Sequence, residues 1–150
     1  MTQSSITSKN SGFAIEATSS GIGRITVGGF SETFVMGQTY WDLKHYEASW
    51  SNALRALEES RVRTSCLISS ITNPKTANFI SCWPLYRIDD AVYVQNSLIL
   101  LAELDHSFDP DVPWLSVGPR EVIDEDGNKI SEWRTDILEL RDFRERVGWR

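Results

Sequence analysis

Asn78-Phe79-Ile80-Ser81-Cys82-Trp83-Pro84-Leu85-Tyr86-Arg87-Ile88, then Asp89-Asp90, then Ala91-Val92-Tyr93-Val94-Gln95-Asn96-Ser97-Leu98-Ile99-Leu100-Leu101: reading this run decides the fold. Both halves are rich in aromatic and β-branched residues and have strand length, and the Asp-Asp pair between them is a turn signal. Two long antiparallel strands are therefore predicted, Asn78 to Ile88 and Ala91 to Leu101. Their apolar residues fall on both faces, so the sheet they form is covered, most simply by a helix. Pro84 interrupts the first strand; with no N–H to give to a ladder, it predicts an edge strand or a bulge.

The covering helix lies upstream. Leu43, Tyr46, Trp50, Ala53, Leu54 and Leu57 recur at helical spacing over residues 42–59, while Lys44, Glu47, Ser51, Arg55 and Glu58 lie mainly off that face. Thr39 or Asp42 is the candidate cap. Arg63 to Ile71 reads as a further strand, ended by the turn Asn73-Pro74-Lys75. Before the helix come three short runs, Phe13 to Ala17, Ile22 to Val27 and Glu32 to Met36, punctuated by Gly21, Gly23, Gly28 and Gly29. They predict an antiparallel meander. Downstream, Glu103 to Pro119 is irregular and holds Pro110, Pro113 and Pro119. Arg120 to Ile123 and Lys129 to Trp133 flank Asp126-Gly127, a hairpin signal. Thr135 is positioned to cap a last helix with Ile137, Leu140, Arg144 and Val147 in a stripe and Phe143 at its margin. The fold class is therefore α+β: antiparallel sheets packed with one central amphipathic helix and a C-terminal helix. Residues 12–150 are expected to form a single domain, preceded by a flexible N-terminus, residues 1–11.

Composition agrees with a packed domain. The 150 residues are 41% hydrophobic and 24% charged, with six Trp, six Phe and four Tyr, which excludes disorder over most of the chain. No apolar run reaches the ~18–20 residues of a membrane helix. The Ser/Thr-rich start lacks the apolar core of a signal peptide, which predicts a cytoplasmic protein. Cys66 and Cys82 lie in apolar strand runs and read as small buried hydrophobes rather than a disulfide.

Residue patterns for chemistry are weak. His45 and His106 are remote from each other in sequence, there is no HExxH or CxxC, and nothing local pairs either His with Cys66 or Cys82. Gly21-Ile22-Gly23 lacks the later glycine of a dinucleotide loop, and no Gly-Lys-Ser/Thr follows it. Asp124-Glu125-Asp126-Gly127-Asn128 has its glycine too early for a calcium loop and reads as a turn. No catalytic residue, metal ligand or cofactor site is assigned.

Charge is more informative. The net charge is −6, but residues 103–126 carry eight acids against Arg120 alone, a local −7, which leaves +1 for the rest. The plain reading is a solvated acidic loop. The sharper one is a docking face for a basic partner, made of Glu103, Asp105, Asp109, Asp111, Glu121, Asp124, Glu125 and Asp126. Trp50 and Trp83 fall on apolar faces and belong to the core. Trp41, Trp114 and Trp133 lie near loops or element ends, where an aromatic can anchor a protein interface or stack on single-stranded bases; Trp114 sits among the acids, where the charge is wrong for nucleic acid. The acidic balance argues against nucleic acid, which needs clustered Lys and Arg.

Four strings carry a resemblance: Tyr40-Trp41-Asp42-Leu43-Lys44-His45-Tyr46-Glu47-Ala48-Ser49-Trp50, the run Lys75 to Tyr86, the run Val92 to Ile99, and Asp126-Gly127-Asn128-Lys129-Ile130-Ser131-Glu132-Trp133-Arg134-Thr135-Asp136. In this order and spacing the chain resembles the immunity proteins of contact-dependent growth inhibition (CdiI type) over residues 34–143. The resemblance implies a cytosolic, non-enzymatic inhibitor that binds and neutralises the C-terminal toxin domain of a cognate CdiA effector. It implies an RNase toxin directed at 16S ribosomal RNA, hence a basic nuclease partner, and a Whirly-like fold. The alternative from another class is a Whirly-like single-stranded nucleic-acid-binding module, for which Arg61, Arg63, Lys75 and Arg87 are the mildly basic central stretch.

Overall fold

The computed structural model describes residues 12–149, so the expectation for residues 1–11 lies outside the described residues. Three short strands, β1 (Phe13–Ala17), β2 (Ile22–Val27) and β3 (Phe30–Val35), form an antiparallel meander in that order. Phe13 faces Val27 and Ile15 faces Ile25, and all four side chains are buried, so the alternation of the sequence sets the register. The third strand starts at Phe30, ahead of the predicted Glu32, because the Gly28-Gly29 turn returns the chain at once and Phe30 pairs with Val27. Gly23 leaves room for the Phe34 ring beside it; a Cβ there would collide with that ring.

The helix α1 (Leu43–Glu58) follows, capped by Asp42, whose side chain accepts from the His45 N–H. Then come β4 (Thr64–Ser70), β5 (Phe79–Ile88), β6 (Ala91–Val94) and β7 (Ser97–Leu100), later β8 (Trp133–Asp136), and finally α2 (Ile137–Val147). The second sheet runs β4-β5-β6-β8, with β7 also paired to β5, and every pairing is antiparallel. This is the α+β class with antiparallel sheets, a central helix and a C-terminal helix.

Pro84 has a different consequence from the one expected. The strand β5 is interior, with β4 on one side and β6 and β7 on the other. The Pro84 carbonyl accepts from the Gln95 N–H at 3.1 Å, so the side on which proline lacks a donor is the β6–β7 side. There the predicted long strand breaks into β6 and β7. Leu85↔Val94 and Cys82↔Ser97 lie on one unbroken register, so no residue is inserted. The bulge falls on the other neighbour, between Ile68 and Ser70 of β4.

One face of this sheet carries α1 and the meander. Trp50 Nε1 donates to the Ile68 carbonyl at 2.7 Å, and Ser65 Oγ to the Ala53 carbonyl at 2.8 Å. The buried Tyr46 hydroxyl donates to the Gly37 carbonyl (2.6 Å) and accepts from the Ile71 N–H (3.0 Å). Trp83 lies among Phe30, Phe34 and Trp133, and Phe30 stacks on Trp133 with ring centroids 3.7 Å apart. The last helix closes the core with Ile137, Leu140 and Phe143, the last edge-on to Phe13. Here three expectations are corrected. Thr135 belongs to β8, paired with Val92, and Asp136 is the cap, accepting from the Glu139 N–H. Phe143 is core, packed edge-on against Phe13, while Val147, the last residue of the helix, is exposed. Arg144 reaches the carboxylate of Glu58 with two bonds of 2.8 Å, tying α2 to the end of α1.

Candidate functional site

The other face of the second sheet is covered by residues 101–132, a strap with little regular structure. Tyr86 donates to the Gly118 carbonyl at 3.2 Å, and Gln95 Nε2 to the Glu121 carbonyl at 2.9 Å. Both anchors stand on even or gap positions of β5 and β6–β7, the face away from α1. The strap holds two 3-10 turns, Leu101–Glu103 and Pro113–Ser116.

All eight acids proposed from the sequence are exposed. The fold holds them as two groups. Glu103, Asp105, Asp109 and Asp111 lie on the first part of the strap. There Asn52 of α1 donates to the Asp111 carbonyl (3.2 Å), and the Asp109 carboxylate accepts from the Asp111 N–H (2.9 Å). Glu121, Asp124, Glu125 and Asp126 lie on a projecting turn. Its Asp124 carboxylate accepts from the N–H groups of Asp126 (2.9 Å) and Asn128 (2.8 Å), and Gly127 takes φ +83°, where a side chain would be strained. The predicted hairpin strands around it shrink to one bridge, Ile123↔Lys129, because Trp133 is drawn into β8.

Trp114 requires a correction. Its side chain is 9% exposed and belongs to the core beneath the second 3-10 turn, next to β4. The ring fills the space between strap and sheet and is not presented to a partner. The exposed apolar residue of that turn is Leu115, at 64%.

Two residues that the sequence did not single out organise the acidic turn. Glu132 takes both guanidinium bonds of Arg120, 2.8 and 2.6 Å, and a further 2.9 Å bond from Gln95. Arg120 also lies 4.1 Å over the Tyr93 ring. The bidentate bond from Arg120 holds the Glu132 carboxyl below its ordinary range, against the opposing effect of burial. The single base of the acidic stretch is thereby consumed internally, and the turn presents its carboxylates without compensation from Arg120.

A second arrangement was invisible in the sequence because its members are ten residues apart. His106 Nε2 lies 3.0 Å from Ser116 Oγ, and Nδ1 lies 2.8 Å from Asp105. The order is that of a nucleophile, base and acid. Hydrolysis also needs exclusion of water and N–H donors aimed at an oxyanion. Here the Asp105 side chain is 99% exposed, and the Val117 N–H next to Ser116 is used by the Trp114 carbonyl. The contact works as a tie between the two halves of the strap.

The two thiols are buried and unlinked; the Cys82 side chain and burial together push the Cys66 thiol well above its usual range. Of the four central bases, Arg87 donates to the Leu57 and Glu58 carbonyls at the end of α1, and Arg61 pairs with Glu59 at 3.0 Å. These two do not form a free basic track. No group of three or more His, Cys, Asp or Glu converges as a metal cage among the described residues. Nor is any described helix long and apolar enough to cross a membrane.

Comparison with known proteins places this architecture. The model of the CdiI N-terminal domain matches residues 36–143. The chain is 40% identical over 121 residues to "Immunity protein CdiI" of Enterobacter cloacae subsp. cloacae, covering 79% of this chain and 81% of that protein. It also superposes on a solved "CdiA-CT/CdiI toxin and immunity complex from Enterobacter cloacae". There the TM-score is 0.76 and the identity 33%, over 92% of this chain and 95% of the other.

Proposed function

The chain belongs to the CdiI N-terminal domain family, and from that premise we propose that it is an immunity protein that binds the C-terminal toxin domain of a cognate CdiA effector. The observation that carries this is the 40% identity to an immunity protein over four-fifths of both chains. In finer detail, residues 12–150 act as one immunity domain in the cytoplasm, as a stoichiometric inhibitor without catalysis of its own. The toxin is a basic nuclease, an RNase directed at 16S ribosomal RNA.

The physical argument rests on charge. A nuclease that grips RNA phosphates exposes Lys and Arg around its active site. Two exposed groups of four carboxylates on the strap are suited to meet such a surface, to stand in for phosphate, and to speed encounter by steering. Glu103, Asp105, Asp109 and Asp111 form one contact group, and Glu121, Asp124, Glu125 and Asp126 the other. The test is to titrate the cognate toxin domain with the purified chain, following ribosomal RNA cleavage and complex mass. A one-to-one complex that silences cleavage at equivalence is expected. The association rate should fall steeply with salt. Full cleavage in the presence of excess chain would end the proposal. A salt-insensitive rate would end the charge argument alone.

A further inference from the structure

Beside β7, the second sheet has a strand position with no occupant among the described residues. From Ala91↔Asp136 to Val94↔Trp133, β8 pairs along β6. Carried onward, the same register would set Lys129 opposite Leu98 and Gly127 opposite Leu100. Instead the chain leaves the sheet before Trp133 and folds back on itself, through Ile123↔Lys129 and an Ile130 N–H to Val122 carbonyl bond of 2.8 Å. Among the described residues, the outer edge of β7 is therefore unpaired.

The orientation of that edge follows from its neighbours. The Gln95 N–H bonds the Pro84 carbonyl and the Leu101 N–H bonds the Asn78 carbonyl, each at 3.1 Å, so odd-numbered residues face β5. By alternation, the N–H and C=O groups of Asn96, Leu98 and Leu100 face the open side. Among the described residues, the Leu98 carbonyl receives only a 3.4 Å contact from Ser97 Oγ. Exposed edges are ordinarily blunted by Lys, Pro or a bulge, and Ser97-Leu98-Ile99-Leu100 carries none of these. Leu98 is 51% and Leu100 43% exposed, and Phe79, opposite Leu100, is 48% exposed. A cleft of about 330 Å³ runs beside this edge, lined by Gln95, Leu98, Ser116, Gly118, Glu121 and Ile130 among others.

We propose that the open edge of β7 is a strand-addition site for an extended, Lys- or Arg-bearing segment of the toxin domain, an inference that rests on the function proposed above. Main-chain bonds to Asn96, Leu98 and Leu100 supply the pairing, and alternate side chains enter the cleft beside Leu98. Charge selects the occupant. Glu121 lines the cleft, Asp124, Glu125 and Asp126 stand on the turn that vacated the strand position, and Arg120 is spent on Glu132. A second copy of this chain would bring the same carboxylates against themselves; a basic segment relieves them.

The test uses the full chain and its cognate toxin domain. In Leu98→Pro only the outward N–H is lost, since Leu98 does not donate to β5, so the fold should persist by circular dichroism. Binding should weaken at least tenfold. Amide exchange at Leu98 and Leu100 should be fast in the free chain and slow in the complex. Wild-type binding with unprotected amides and unchanged affinity of Leu98→Pro would overturn the strand-addition site while leaving the immunity function standing. Failure of the wild-type chain to bind at all would remove both. Protection of these amides in the free chain, together with a dimer in sedimentation, would give the edge to a second copy and overturn the proposal.

Discussion

Glu132 fastens the acidic turn to the sheet, and its replacement by Gln measures how firmly. The substitution keeps size and one acceptor but removes the charge that takes Arg120 with bonds of 2.8 and 2.6 Å. The two side chains are 14% and 28% exposed, so solvent screening reduces the pair only in part. Hydrogen bonds to charged groups contribute about 1.5–3 kcal/mol. A loss of about 2 kcal/mol is expected, which for a domain of this size lowers Tm by roughly 4–8 °C. The pH dependence adds a second constraint. Because Arg120 depresses the Glu132 carboxyl in the folded state, the pair's contribution is complete above the ordinary carboxylate range. It is lost as pH falls through the lowered folded value. Urea unfolding of both proteins from pH 7 downward should show a gap that is full at neutral pH and closes in acid. Equal stability at pH 7, or a gap that stays constant into acid, would refute the assignment. Toxin association by Glu132→Gln should also slow, because the turn carrying Asp124, Glu125 and Asp126 loses its fixed position.

Three further outcomes follow from the core and its ties. Arg144→Met leaves the carboxylate of Glu58, 4% exposed, with only the 3.9 Å contact from the half-exposed Arg141; breaking such a pair from one side costs about 3–5 kcal/mol, and adding Glu58→Gln should restore part of it, as a double-mutant cycle in urea would show. Tyr46→Phe removes a hydroxyl that serves both the Gly37 carbonyl and the Ile71 N–H; a loss of about 1–3 kcal/mol is expected by thermal unfolding. Neither Cys66 nor Cys82 should react with a thiol reagent in the native protein at pH 8, and both should react in denaturant, since both are buried and the Cys66 thiol is pushed up by Cys82 and burial.

Periodicity carried most of the architecture. The helix was legible because Tyr46, Trp50, Ala53, Leu54 and Leu57 form an unbroken apolar stripe, and those five are fully buried. The meander was legible because Phe13, Ile15, Ile25 and Val27 alternate with exposed or half-exposed neighbours. What sequence could not resolve was competition between partners for one segment. Trp133 and Thr135 carry strand propensity and lie next to both a hairpin turn and a helix; their pairing with Val94 and Val92 settles them into β8. The local signals for a hairpin strand and a helix cap were each sound and were overridden by tertiary pairing.

The exposed acidic surface was legible in charge and illegible in geometry for the same reason. Exposed carboxylates declare themselves in composition, because a run of acids without bases is rarely buried. The side chains that aim them do not. Gln95 follows β6 at the break that Pro84 causes, Glu132 lies six residues beyond the acidic stretch, and neither type of residue announces a role from its position. Yet the three observations are one event. Proline denies β5 a donor, the second strand divides, and at the division Gln95 keeps its N–H on the Pro84 carbonyl while its side chain bonds Glu121 and Glu132. Those bonds hold residues 121–132 over the sheet and away from the outer edge of β7. A position left empty by the chain's own fold, and bordered by the acids that displaced it, is a stronger indication of where a basic partner docks than the count of acids that first suggested one.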